Sequence, residues 1–120
     1  MTVTHVAIVV ADQQRARAFY ERYFGFDAGP ATMYPDGVLI VRDAAGFSLA
    51  LGPGGGGDVP AAFDHFGFDL DSPDEVRALR ARLVADGVPI VEDTEEPAMV
   101  GFKCLDPDGH RVEVAWEVVG

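Results

Sequence analysis

The sequence predicts an α+β protein made of two βαβββ modules, and the main reason is an internal repeat. Segments 5–12 and 65–72 both begin with histidine, continue as a short apolar stretch and end on a residue that can cap a helix. A helical pattern follows each of them, and segments 41–51 and 104–114 also align. The offset between the two copies drifts only from 60 to 63 residues, so both copies contain the same order of elements.

The helices and turns of each module are marked in chain order. Asp12 can cap the first helix, whose apolar side chains recur at helical spacing: Ala16, Phe19, Tyr20, Tyr23 and Phe24. The Ser-Pro-Asp-Glu sequence at 72–75 is a capping box with proline at the first helical position, which predicts the start of the second helix. Pro-Asp-Gly sequences at 35–37 and 107–109 predict turns between the later strands.

The two modules are expected to form a single domain over residues 1–120. Module one covers 3–52, a glycine-rich linker covers 52–64, and module two covers 65–118. A module of about 55 residues with one helix and one small sheet buries little apolar surface, so each module needs a partner module. The two amphipathic helices are the available covers for the apolar faces of the sheets.

The charge balance excludes several classes of partner. Nine Lys and Arg residues stand against twenty Asp and Glu residues, which gives a formal net charge of −11. Such a protein repels nucleic acids and anionic membrane surfaces, because both bind clustered cations. No apolar run approaches the ~20 residues of a membrane span, the start lacks a signal-peptide pattern, and Cys104 is the single cysteine. We therefore expect a cytoplasmic protein without disulfides.

Strand alternation predicts that three potential metal ligands share one type of sheet face. Every second residue in the first strand of each module, and in the last strand of the chain, is apolar and suits a helix-covered face. His5, His65 and Glu113 therefore lie on the opposite face, beside small residues such as Ala7. In the repeat, His5 corresponds to His65 and Glu113 corresponds to Ala50. Two imidazoles and one carboxylate suit Fe(II), Mn(II), Zn(II) or Ni(II) and leave coordination positions for a substrate.

The same residues have other interpretations. A histidine near the start of a strand is commonly hydrogen-bonded or exposed, and Glu113 is a suitable partner for an arginine or for Lys103. If residues 106–109 form a type I turn with Gly109 in the left-handed conformation, Lys103 lies opposite Glu113. Lys103 would then either hold an anionic group of a substrate beside a metal ion or neutralise Glu113 in a metal-free site.

Four short stretches, distributed over nearly the whole chain, carry a family resemblance. They are His-Val-Ala-Ile at 5–8, Ala-Phe-Tyr and Phe-Gly-Phe within 18–26, His-Phe-Gly-Phe at 65–68 and the segment 105–113. In these motifs the sequence resembles the vicinal oxygen chelate superfamily, which includes glyoxalases, bleomycin-resistance proteins and extradiol dioxygenases. The resemblance implies a curled, cup-shaped mixed sheet with the helices on its outer face. It also implies a homodimer with sites shared between subunits, His5 coming from one chain and His65 and Glu113 from the other.

The resemblance assigns roles to individual residues. The metal positions of the superfamily match His5, His65 and Glu113, and Glu113 is also the candidate catalytic group. Ala50 stands where glyoxalase I enzymes have a second glutamate, which argues against methylglyoxal isomerase activity. The candidate substrate-binding positions are Lys103, Ala50 and Ala7.

Two functions of different class follow from these residues. In the first, a divalent metal ion in a 2-His-1-carboxylate site serves a glyoxalase-like or dioxygenase-like enzyme, a lyase, transferase or dioxygenase acting on a small oxygenated substrate. In the second, a metal-free dimer of the bleomycin-resistance type sequesters a cationic or aromatic small molecule between acidic and aromatic walls. The net charge of −11 suits the second function.

Overall fold

A computed structural model describes residues 1–57 and 60–118 of the chain. The chain divides into two compact units, residues 1–58 and 59–120. Each unit contains one helix and one four-stranded sheet in the order βαβββ, so the predicted α+β class with two βαβββ modules is confirmed. The cup-shaped pairing of the modules stays a prediction, as does the linker at 52–64, part of which lies outside the described residues. Within the described residues, no helix is long and apolar enough to cross a membrane.

The first unit is a mixed sheet with one helix. Its elements are β1 His5–Val9, α1 Gln13–Phe24, β2 Thr32–Met33, β3 Leu39–Arg42 and β4 Ser48–Gly52. The strands lie in the order β1-β4-β3-β2, with β1 parallel to β4 and the other neighbours antiparallel. The register places His5 beside Ser48 and Ala7 beside Ala50.

The second unit repeats this arrangement with longer strands. Its elements are β5 His65–Asp69, α2 Pro73–Ala85, β6 Ile90–Glu96, β7 Met99–Leu105 and β8 Arg111–Glu117. The strands lie in the order β5-β8-β7-β6, and β5 is parallel to β8. Gly67 is the register partner of Glu113 in this parallel pair.

Both helices begin at the residues that the sequence predicts. The Asp12 carboxylate accepts two backbone N–H groups in the first turn of α1, each at 3.0 Å. In α2, Ser72 Oγ accepts the N–H of Glu75 at 3.2 Å, while the Glu75 carboxylate accepts the N–H of Asp71. The reciprocal bond of this capping box therefore reaches one residue further back than in the usual pattern. Helix α1 ends at Gly25, whose φ of 72° is a left-handed conformation that glycine adopts without strain.

The helices pack on one face of each sheet, as the alternation predicts. Helix α1 packs on β4, and α2 packs on β7 and β8. The larger buried apolar residues of the central strands are Leu39, Val41, Leu49 and Leu51 in the first unit and Val100, Phe102, Cys104, Val112 and Val114 in the second. The helices cover the edge strands β1 and β5 less completely. The apolar residues of these two strands are only half-buried: Val6, Ile8, Phe66 and Phe68. The core of each unit therefore lies between its helix and the central strands.

The turn between β7 and β8 sets the register of the candidate site. The N–H of Asp106 donates to the carbonyl of His110 at 2.9 Å, and the N–H of Gly109 donates to the carbonyl of Asp106 at 3.0 Å. Gly109 has a φ of 85°, the left-handed conformation that the sequence predicts. This turn aligns Lys103 with Glu113 across the two strands, which confirms that part of the prediction.

Candidate functional site

His65 and Glu113 form the centre of a candidate site on the second unit. His65 begins β5, and Glu113 lies in the neighbouring strand β8, between Val112 and Val114, which are buried towards the opposite face. His65 Nε2 and Glu113 Oε2 are 3.3 Å apart, and 26% and 27% of the two side chains remain exposed. The two groups therefore contact each other and are accessible to a ligand.

A backbone carbonyl fixes the orientation of the His65 ring. His65 Nδ1 lies 2.8 Å from the carbonyl oxygen of Phe63, which can only accept, so Nδ1 carries a proton. In the neutral ring, Nε2 then presents a lone pair to the Glu113 carboxylate. Two acceptors 3.3 Å apart repel each other unless a cation, either a proton or a metal ion, lies between them. The contact therefore fits either a hydrogen-bonded ion pair with a proton between the two groups or a pair of ligands to a metal ion.

Gly67 leaves the space that the Glu113 side chain occupies. A Cβ atom at Gly67 would lie 3.1 Å from Glu113 Cβ, 3.2 Å from its carbonyl oxygen and 3.6 Å from Oε2. The first two distances are shorter than ordinary van der Waals contacts. Any larger residue at this position would therefore push against Glu113. The signal for this role in the sequence is a small residue two positions after His65, on the same face of β5.

Lys103 lies opposite Glu113 but forms its ion pair with another residue. Lys103 Nζ is 2.9 Å from Glu92 Oε2, and 14% of the lysine side chain is exposed against 57% of the glutamate. Among the described residues, Glu113 forms its ion pair with His65. Sequence reasoning missed Glu92, because a β-bulge between Ile90 and Glu92 interrupts the alternation of β6.

His5, the third predicted ligand, lies in the first unit. It begins β1, and its Nδ1 is 3.0 Å from Thr4 Oγ1, so Nε2 is the nitrogen outside that hydrogen bond. Ala7 and Ala50 are register partners in the same sheet, and Ala50 is buried. Within the described part of each unit, no three His, Cys, Asp or Glu side chains converge. The complete three-ligand site therefore stays a prediction.

A cavity of about 380 Å³ adjoins His5 on the first unit. It is lined by residues of β1, β3 and β4, by Thr4 just before β1, and by residues of the turns on either side of β3. Arg42 and Ser48 belong to this lining, and sequence reasoning missed both. Arg42 has Leu105 as its counterpart in the repeat, so the comparison of the two halves contained no signal for it.

The sheet face that carries Glu113 is acidic. Strand register places five carboxylates on this face: Asp69, Glu92, Glu96, Glu113 and Glu117. The cations that the same register places there are Lys103 and Arg111. This excess of negative charge favours cationic ligands, whether metal ions or organic cations.

Comparison with known proteins identifies the family. The family model of the Glyoxalase/Bleomycin resistance protein/Dioxygenase superfamily matches residues 2–114. The chain belongs to this superfamily. The resemblance seen in the sequence motifs is thereby confirmed. Within curated proteins, the uncharacterized protein PA2024 of Pseudomonas aeruginosa is 32% identical, over 96% of this chain and 88% of its own length.

Solved structures of superfamily members share the fold. A possible glyoxalase from Bacillus cereus is 30% identical and superposes with a TM-score of 0.78, covering 95% of this chain and 97% of its own. The fosfomycin resistance protein FosX from Listeria monocytogenes, complexed with Mn(II) and sulfate, is 18% identical with a TM-score of 0.79, covering 98% of this chain and 91% of its own. A superfamily domain from Frankia sp. EAN1pec is 21% identical with a TM-score of 0.81, covering 98% of each chain. At these identities, the last two comparisons establish the fold alone.

Proposed function

We propose that this superfamily member is a metal-dependent enzyme that acts on a small oxygenated substrate. The observation that carries the proposal is the 3.3 Å contact between His65 Nε2 and Glu113 Oε2, with the other ring nitrogen committed to the Phe63 carbonyl. His5 would complete the ligand set, which suits Fe(II), Mn(II), Zn(II) or Ni(II). The complex of FosX with Mn(II) supports this choice of ion.

The chain's own residues prepare this site. When bound, a divalent ion stabilises negative charge that develops on a substrate oxygen. The Phe63 carbonyl holds the His65 ring, and Gly67 leaves room for the Glu113 carboxylate. Glu113 Oε2 is the candidate acceptor of a substrate proton. Lys103, on the next strand, is the candidate contact for an anionic group of the substrate.

The position of His5, the third candidate ligand, leads to a proposal for the quaternary structure. His5 belongs to the first unit, whereas the other two ligands belong to the second. We propose a homodimer in which His5 of one subunit completes the site of the other. Ala7 and Ala50 offer no oxygen or nitrogen donor beside His5, so positions on the ion stay open for the substrate. Ala50 also supplies no second carboxylate, which disfavours an isomerase of the glyoxalase I type.

Metal binding by the purified protein tests the proposal. Untagged protein is stripped with EDTA and dialysed against each of the four metals, and its metal content is then measured by inductively coupled plasma mass spectrometry. We expect one ion per chain for the wild type. His65→Ala and Glu113→Gln should lower the Mn(II) affinity more than about 100-fold, because loss of an outer partner of a ligand alone costs about 10- to 100-fold.

His110→Ala is the matched control for these variants. It removes an imidazole from the turn between β7 and β8 but keeps the backbone bond to Asp106. It should bind the metal like the wild type, and circular dichroism checks that every variant is folded. A metal content below one ion per chain that His65→Ala leaves unchanged would overturn the enzyme proposal. Unchanged affinity in His5→Ala would remove His5 from the ligand set.

A metal-free protein that sequesters a cationic small molecule is the second candidate. The five carboxylates on the Glu113 face of the second unit favour it. A thermal-shift screen of EDTA-treated protein against cationic glycopeptides, at low and moderate salt, tests this function. Stabilisation that decreases with salt would support it, because salt screens charge pairs near the surface. No stabilisation by any glycopeptide would refute it.

A further inference from the structure

The cavity beside His5 is built around a row of polar side chains. Strand register places His5 beside Ser48 and Ser48 beside Arg42, so the three residues form one row across β1, β4 and β3. Neighbouring strands lie about 4.8 Å apart, which makes the row about 10 Å wide. All three residues line the cavity of about 380 Å³. This size suits a small organic molecule.

Arg42 is the residue of this cavity that points to a class of ligand. Its side chain is exposed, and it forms no ion pair with any carboxylate among residues 1–57 and 60–118. Thr4, Tyr34 and Ser48 line the same cavity, and each carries a hydroxyl group that is able to donate a hydrogen bond. A guanidinium group next to hydroxyl donors is well suited to bind a carboxylate.

Asp36 limits the charge of that ligand. Its Oδ1 accepts the N–H of Val38 at 3.0 Å in the turn before β3, and the residue also lines the cavity. Its negative charge would repel a second anionic group on the ligand. The side chains of Val38 and Ile40 add an apolar wall. A molecule with one carboxylate and an apolar body therefore fits this lining.

We propose that the cavity binds a small organic monoanion of this kind, with its carboxylate on the Arg42 guanidinium. The ligand's role as a substrate rests on the proposed function, because His5 is a candidate metal ligand that lines the same cavity. The contact with Arg42 itself does not depend on a metal ion. Lys103 already pairs with Glu92, so the single carboxylate of this ligand is assigned to Arg42 rather than to Lys103. Arg42 is thus a specificity-determining residue of the first unit.

Mandelate and mandelamide are the probes, because they have nearly the same shape and differ in charge. Their binding to EDTA-treated protein is measured by titration of backbone amide chemical shifts. We expect the wild type to bind mandelate about tenfold more tightly than mandelamide, as a charge-assisted contact predicts. Arg42→Gln should lose this preference, and Arg42→Lys should keep part of it. Asp36→Asn keeps an acceptor for Val38 and should strengthen mandelate binding.

Arg22→Gln is the matched control, since it removes the same charge from α1, outside the cavity. It should bind mandelate like the wild type. Equal affinity of the wild type for both probes, or unchanged mandelate binding in Arg42→Gln, overturns the inference. Arg42→Gln should bind Mn(II) like the wild type. Mandelate selectivity without metal binding would therefore overturn only the proposed function, and metal binding without mandelate selectivity would overturn only this inference.

Discussion

Replacement of Gly67 by alanine perturbs the candidate site through packing alone. The added methyl group would lie 3.1 Å from Glu113 Cβ and 3.2 Å from the Glu113 carbonyl oxygen. That oxygen belongs to β8, which pairs with β5 at this position, so the backbone has little freedom to withdraw. Overpacking of this kind costs about 1–3 kcal/mol, and alanine recovers about 0.4–1 kcal/mol by restricting the unfolded chain. We expect a net destabilisation of about 1–2 kcal/mol.

Urea unfolding and thermal melting measure this effect. A loss of about 1 kcal/mol lowers the Tm of a domain of this size by about 4 °C, so the Tm should fall by about 4–8 °C. The methyl group also displaces the Glu113 carboxylate from His65, so the Mn(II) affinity should fall as well. Gly29→Ala is the matched control, because a Cβ atom there meets nothing within 4 Å and the residue has no positive φ. Wild-type stability together with wild-type Mn(II) affinity in Gly67→Ala would refute this reasoning.

Three further predictions concern reactivity and stability. Burial raises the pKa of the Cys104 thiol from about 9 to about 12, so a thiol-reactive disulfide reagent should label it only after denaturation. The thiol therefore loses its proton at a lower pH in the unfolded chain than in the folded chain. The free energy of unfolding should fall as the pH rises from about 9 towards 12. Asp12→Ala removes the acceptor of two N–H groups and should cost about 1–2 kcal/mol, more than Ser72→Ala, which removes the acceptor of one. Leu83→Ala leaves a cavity at a fully buried position of α2 and should lower the free energy of unfolding by about 2–5 kcal/mol. Urea titrations measure the loss of stability in Asp12→Ala, Ser72→Ala and Leu83→Ala. Rapid labelling of Cys104 in the folded protein, equal losses in the two cap variants, or a loss well below about 2 kcal/mol in Leu83→Ala would contradict the respective prediction.

The elements of the fold were predictable where a few neighbouring residues determine them. Asp12 and Ser72 cap their helices through side-chain oxygens within three residues, and Gly109 makes the turn that sets the register of β7 and β8. The predicted order βαβββ includes strand β2, but its two residues show no alternation from which to predict its bounds. The coverage of the edge strands also escaped prediction, because it depends on where each helix lies on its sheet rather than on the pattern of the strand.

The candidate site was predictable where it follows from alternation and not where it depends on irregular backbone. Alternation placed His65 and Glu113 on one face, and the structure brings them into contact. The Phe63 carbonyl that orients the His65 ring lies ahead of β5, where no periodicity exists. Glu92 pairs with Lys103 only because a bulge in β6 changes the register, and a bulge leaves no mark in the hydrophobic pattern.

The two modules differ in the row of residues that corresponds to the candidate metal site. In the second unit the register aligns Gly67, Glu113 and Lys103. The equivalent row of the first unit is Ala7, Ala50 and Ile40. This row has no charged group, so the candidate ligand that we assign to the first unit, His5, comes from the adjacent row. The adjacent row of the first unit is His5, Ser48 and Arg42, and its counterpart in the second unit is His65, Arg111 and Leu105. If both proposals hold, the two copies of the module divide the roles: the second unit holds the ion, and the first unit contacts the carboxylate of the substrate.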